Sequence, residues 1–227
     1  MISSREAILD RIKAALKTPS EISVFDGNID EKINKGINSV TPKELRPLWS
    51  QFENELTAIA GEFHSVKNVN EAADVVAMFM NESRFQRIGI SKEAICSEVA
   101  RVVQTKFSEI EIIYPDKLGY EERKKEYSIT EVAIVHPAFA VADIASLVFL
   151  YDQTGTTYPH FLCDNTFAVV YESQIVANQF DLFGKIDRVQ AKNMVFVTGP
   201  SRTADIEKVL VLGAHGPRKL VVLRIEE

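Results

Sequence analysis

The residues with the densest potential chemistry are Thr198-Gly199-Pro200-Ser201-Arg202-Thr203 and, shortly after them, Gly213-Ala214-His215-Gly216-Pro217. Ser201 and Thr203 offer hydroxyls, Arg202 a planar fork that can hold a carboxylate or phosphate through two parallel bonds, and Gly199 a backbone that a ligand can approach closely. The apolar run Met194–Val197 precedes this turn, and Ile206, Val209, Leu210 and Leu212 follow it. That order predicts a strand, a tight turn and a helix over 205–212. A helix amino terminus behind the turn would present unpaired N–H groups and a positive dipole end to an anion. The same residues also fit ordinary capping by Ser201 or Thr203. Asp205 and Glu207 would then complement the dipole, and both oppose a bound anion. Thr198, Gly199, Ser201, Arg202, Thr203 and Gly216 are therefore candidate ligand-binding residues, with capping as the alternative.

His215 is a candidate acid–base group, because an unperturbed imidazole titrates near neutrality, although a lone loop histidine also serves as a structural hydrogen-bonding group. His64, His136 and His160 are weaker candidates. No two histidines have helical ligand spacing, and the two cysteines, Cys96 and Cys163, form no Cys-x-x-Cys pair. The expectation is no metal site, no iron–sulfur cluster and no redox cofactor in the chain itself, with both thiols acting as small buried hydrophobes.

The elements that must position these groups follow from periodicity. Ile8, Leu9, Ile12, Ala15 and Leu16 give a short amphipathic helix over 1–18 that could dock on a partner subunit. Residues 19–47, with Pro19, Gly27, Gly36, Pro42 and Pro47, read as an extended connector. From residue 48 to 227 helix and strand patterns alternate: a helix at 48–59, then strand-like segments at 62–66, 85–90, 110–114, 131–135, 147–151, 167–171, 194–197 and 220–223, with helices at 71–80, 92–107 and 176–189. This alternation predicts an α/β domain, a three-layer α/β/α sandwich with a short N-terminal helical extension. The run Glu121–Glu126 mixes both charge signs and reads as a solvated helix face. Thr154-Gly155-Thr156 reads as a hairpin turn.

The whole chain of 227 residues is 46% hydrophobic and 26% charged, an ordinary globular composition with no stretch fit for a membrane span. A net charge of −6 argues against nucleic acid as a partner. Met1–Glu6 carries no basic start before an apolar segment, so cytoplasmic residence is the expectation.

The carboxyl signature Thr198–Glu207 with His215-Gly216-Pro217, joined to Ser4–Leu9 at the other end, resembles the lactate utilization protein C group of the LUD-domain family. The resemblance implies a mixed sheet in a fold similar to NagB, RpiA and the coenzyme A transferases. It also implies a part in oxidising lactate to pyruvate beside two iron–sulfur subunits. Many LUD proteins carry Ala, an acid and Thr-Gly-Thr before an apolar strand; this chain reads Ala142-Asp143-Ile144-Ala145-Ser146 there. The acid Asp143 and the hydroxyl of Ser146 remain, which makes Asp143 a catalytic candidate with His215 and Ser146 a ligand-binding one. Ala145 takes the place of the glycine.

Three functions are open at this point. The first is a cofactor-free accessory or regulatory subunit of an iron–sulfur lactate-oxidising complex. The second is an enzyme or binding protein for an anionic small molecule, such as a phosphate ester or coenzyme A derivative, at the 198–203 turn. The third is a ligand-free scaffold.

Overall fold

A run of strands buried on both faces can only form where layers cover both sides of a sheet, and Val132–Val135 and Leu220–Ile225 are such runs. The computed structural model describes residues 47–151, 157–186, 193–204, 210–212 and 216–227. The expected helix at 1–18, the connector apart from Pro47, Thr154-Gly155-Thr156 and His215 lie outside these residues.

The elements in chain order are α1 (Leu48–Ala58), β1 (Glu62–Val66), α2 (Val69–Ser83), β2 (Arg87–Ile90), α3 (Ala94–Lys106), β3 (Glu111–Ile113), α4 (Tyr120–Ser128) and β4 (Val132–Val135). Next come β5 (Phe139–Val141), a 3-10 turn at Ala142–Ile144, β6 (Ser146–Tyr151), α5 (Tyr158–Leu162), β7 (Asn165–Tyr171), β8 (Ile175–Val176) and α6 (Gln179–Lys185). The described chain closes with β9 (Asn193–Thr198), β10 (Arg202–Ala204), β11 (Leu210–Leu212) and β12 (Lys219–Ile225).

Six strands form one sheet in the order β1-β12-β7-β4-β2-β3. Every pairing within it is parallel, with β12 seated between β1 and β7. The mixed pairing implied by the family resemblance is confined to a second sheet, β8-β5-β6-β9, where β5–β8 is parallel and β5–β6 and β6–β9 are antiparallel.

Packing follows the alternation of side chains along each strand. One face of the six-stranded sheet, with Ile134, Phe167, Val169, Val221 and Leu223, packs under α2 and α3 through Val76, Met80, Val99 and Val103. The other face, with Ala133, Val135, Ala168, Val170, Leu220 and Val222, meets α1, Tyr127 of α4 and the inner side of the second sheet. The third layer is therefore part helix and part sheet. A smaller apolar group, Val141, Val148, Val176 and Leu182, fills the far side of the second sheet beneath α6.

Two expected helices are corrected. Leu210–Leu212 is strand β11, antiparallel to β10, not the end of a helix over 205–212. Val209-Leu210-Val211-Leu212 is a continuous apolar run, and such a run fits a strand as well as a helix. The helix expected over 176–189 begins only at Gln179, because Asn178 accepts the backbone N–H groups of Phe180 and Asp181 and so caps it there. Ile175 and Val176 instead pair with β5.

Candidate functional site: a cleft around the Thr198–Arg202 turn

Three neighbours hold the 198–202 turn. β9 runs antiparallel to β6 with Thr198 opposite Ser146, and the two hydroxyls share a hydrogen bond across the pair. The Ser201 backbone N–H donates to the Pro217 carbonyl at 2.7 Å, tying the turn to the segment before β12. Arg202 donates through Nη2 to the Ile59 carbonyl at 3.0 Å, just past α1. Gly199 has φ +70, and a Cβ there would stand 2.7 Å from Cδ1 of Ile59, so only glycine meets both demands.

The result is a cleft of about 460 Å³. Thr198, Gly199, Ser201, Arg202 and Gly216 all line it, and Ser146 reaches it through Thr198. Arg202 is the one charged side chain among the described lining residues. Ile59 and Phe161 supply apolar surface, while Phe196 borders the cleft with its side chain packed against the Val141, Val148, Val176 and Leu182 group. The Thr203 side chain lies outside the description, as does His215.

Asp143 does not line this cleft. It sits exposed on the 3-10 turn between β5 and β6, where its N–H donates to the Ala177 carbonyl at 3.1 Å. Partial desolvation raises its carboxyl pKa and the neighbouring charges of Glu55 and Asp181 add to the rise, against the lowering effect of its own backbone N–H. The next residue but one, Ala145, is fully buried with φ +48 and ψ +42, a left-handed backbone at the position where relatives of the implied family carry glycine.

A residue that the sequence ranked low proves central to the cleft. His160, on the short helix α5, lines the cleft and is 1% exposed. Its ring stacks on Phe149 with centroids 4.4 Å apart, and the Tyr151 hydroxyl lies 3.1 Å from Nδ1. Burial pushes the imidazole down to about 4, so it is neutral at physiological pH. The sequence signal was Pro159-His160 inside an apolar pentapeptide, Tyr158–Leu162, a helix too short for periodicity to reveal.

A second, smaller cavity of about 150 Å³ opens beyond the carboxyl ends of β2 and β4 and includes Ser91, Glu93, Asp116, His136 and Tyr151. Ser91 hydrogen-bonds Glu93 and accepts the His136 backbone N–H at 3.3 Å. His136 donates from Nδ1 to the Val169 carbonyl at 2.8 Å, which leaves Nε2 to accept from Gln174 at 3.2 Å. These polar groups largely satisfy one another. The position of Ser91 and His136 directly after parallel strands was the signal for this cavity, since open α/β sheets place ligands beyond strand carboxyl ends.

No group of three or more His, Cys, Asp or Glu among the described residues is arranged to hold a metal ion, and no described helix is long and apolar enough to cross a membrane. Both thiols are buried and pushed up to about 12, with burial the main cause for each.

Comparison with known proteins agrees with the carboxyl signature and with the architecture. An uncharacterized protein, YkgG, of Escherichia coli (strain K12) is 22% identical over 242 residues covering both chains in full. Lactate utilization protein C of Bacillus pumilus (strain SAFR-032) is 30% identical over 101 residues, a match that spans 42% of each chain, and its counterpart from Geobacillus thermodenitrificans (strain NG80-2) is 32% identical over 103 residues, again 42% of each. Among solved structures, a DUF162 family protein from Deinococcus radiodurans superimposes with a TM-score of 0.53 at 15% identity, covering 78% of this chain and 96% of that one, which supports the fold. The LUD-domain family model matches residues 49–225, every described strand and every described helix but the first residue of α1, and the chain belongs to the LUD-domain family.

Proposed function

We propose that this LUD-domain protein works in a lactate-utilization system as an accessory subunit without a redox cofactor of its own, beside iron–sulfur partners that carry the electrons. The observation that carries this reading is the pairing of its relatives with its cysteine chemistry. Two of the relatives are lactate utilization protein C, matched over less than half of their length. The chain has only two cysteines, whereas a cluster of the common types takes four thiolates. Their buried, unreactive thiols are poor ligands. Affinity purification of the full chain from its native host grown on lactate should recover iron–sulfur subunits, and deletion should impair growth on lactate. Normal growth together with purification as a lone chain would overturn the proposal.

A second reading, binding of an anionic small molecule, is favoured by the cleft itself. Arg202 brings a cation to a turn whose described lining residues include no carboxylate. This support differs from the one in the sequence, because it rests on the Arg202 side chain and not on a helix amino terminus; strand β11 takes the place of the end of that expected helix, and residues 205–209 lie outside the description. Asp143 is not part of the lining, so an acid–base role for it at this turn is not proposed.

A further inference from the structure

We infer that the cleft takes an oxyanion carried on a flat apolar group, an aromatic carboxylate or phosphate ester in chemical class, with Arg202 facing the anion and Phe161 beside the ring. The inference rests on the anion-binding reading and narrows it. Three observations carry it. The volume of about 460 Å³ belongs to sites for whole small molecules, roughly 300–1,000 Å³, and is far more than a bare inorganic anion would fill. The polar and cationic lining is gathered at one segment, Thr198–Arg202, with Ile59 against it, while Phe161 on α5 adds an aromatic ring from another element.

Third, Phe161 is 39% exposed although its helix is otherwise well packed, and its ring lies 4.8 Å from that of His160 by centroid. An aromatic ring left open to solvent inside a cleft is surface that a ligand can cover with gain. His160 is stacked on Phe149 and fixed by Tyr151 behind it, so it presents a rigid, uncharged ring edge rather than a second cation. A ligand with two separated anionic ends would find one cationic partner, Arg202, among the described lining residues. One with a single anionic end and a ring would match both halves.

The test is titration calorimetry of the full chain with three probes: inorganic phosphate, phenyl phosphate and phenol. Phenyl phosphate is expected to bind about tenfold or more tightly than either of the others, since covering a ring and pairing a charge each add affinity. Phe161→Ala should bring phenyl phosphate down to the affinity of inorganic phosphate. Arg202→Gln should weaken both anions alike and leave phenol unchanged. Because Phe161 and Arg202 are exposed, thermal melts are expected to stay near wild type, and Phe161→Leu serves if Phe161→Ala does not. Equal binding of phosphate and phenyl phosphate by the wild type would overturn this inference and leave the anion reading standing. Equal binding of phenol and phenyl phosphate, or binding of none of the three, would overturn both.

Discussion

At the scale of single residues, His160 makes the strongest physical statement. Its folded-state value of about 4 lies below the ordinary 6.5, so the folded protein holds the ring neutral while the unfolded chain takes up a proton between those two values. Stability from this group is therefore complete above about pH 6.5 and is lost as pH falls toward 4, by roughly 3 kcal/mol at most. Urea unfolding midpoints measured from pH 7 to 4 should fall steeply for the wild type. They should fall less for His160→Phe, which keeps the stacking on Phe149 and has nothing to protonate. Equal slopes for the two proteins would show that the ring does not stay neutral in the fold. His160 was hidden in the sequence because burial, not neighbours along the chain, gives it this character. Gly199 was legible for the opposite reason: its type and its place beside Pro200 announce a turn, and the turn is there, but shorter than the expected Thr198–Thr203, since Thr198 ends β9 and Arg202 opens β10. Asp143 was legible as a polar residue in a family motif, but its side chain stands exposed on the far end of β5, away from the cleft lining.

At the scale of elements, two left-handed residues flank the β6–β9 pair and invite opposite expectations. Gly199 ends β9 at φ +70 with Ile59 against it, and Gly199→Ala would meet both the left-handed penalty of about 1–2 kcal/mol and a contact at 2.7 Å. A loss of about 2 kcal/mol or more is expected from chemical unfolding, with the grip of the turn on Ile59 loosened. Ala145 begins β6 at φ +48 but buries its methyl completely. Ala145→Gly relieves about 1–2 kcal/mol of backbone strain, yet gives up about 0.8 kcal/mol of buried methyl and about 0.5–1 kcal/mol of chain entropy. The change should leave stability within about 1 kcal/mol of wild type, so the substitution away from the family glycine is tolerable to the fold. Helices with a clear apolar stripe and a terminal signal, such as α2 behind its Asn68 cap, were readable in advance. β5, β8 and β11 were not, because two or three residues carry no period, and their pairing is decided by partners distant in the chain.

At the scale of the whole molecule, alternation of helix and strand was enough to reach the α/β class, and it could not reach the order of the strands. Nothing local in Lys219–Ile225 says that it will lie between β1 and β7. Its apolar stretch Leu220–Leu223 says only that it will be covered on both faces. Because β12 pairs on both sides, a charge placed at Val222 in its middle cannot escape to an edge, whereas Arg224 near its end is paired with Glu172 and Glu226. Val222→Asp, at a position with no exposure, should abolish soluble folded protein rather than merely lower the melting temperature, as read by soluble yield and circular dichroism. Soluble, cooperative unfolding of that variant would contradict the central placement of β12.

The same placement has a consequence in time. During synthesis β1 is complete once Val66 has emerged, but its one strand neighbour among the described residues does not exist until Lys219–Ile225 follow. Through that interval β1 offers an open hydrogen-bonding edge, and so does β7 on its β12 side, where the buried run Phe167–Val170 is an apolar strand of the kind that pairs with the wrong chain. The growing polypeptide is thus a sheet with a slot in it, closed only when the last of the described strands arrives.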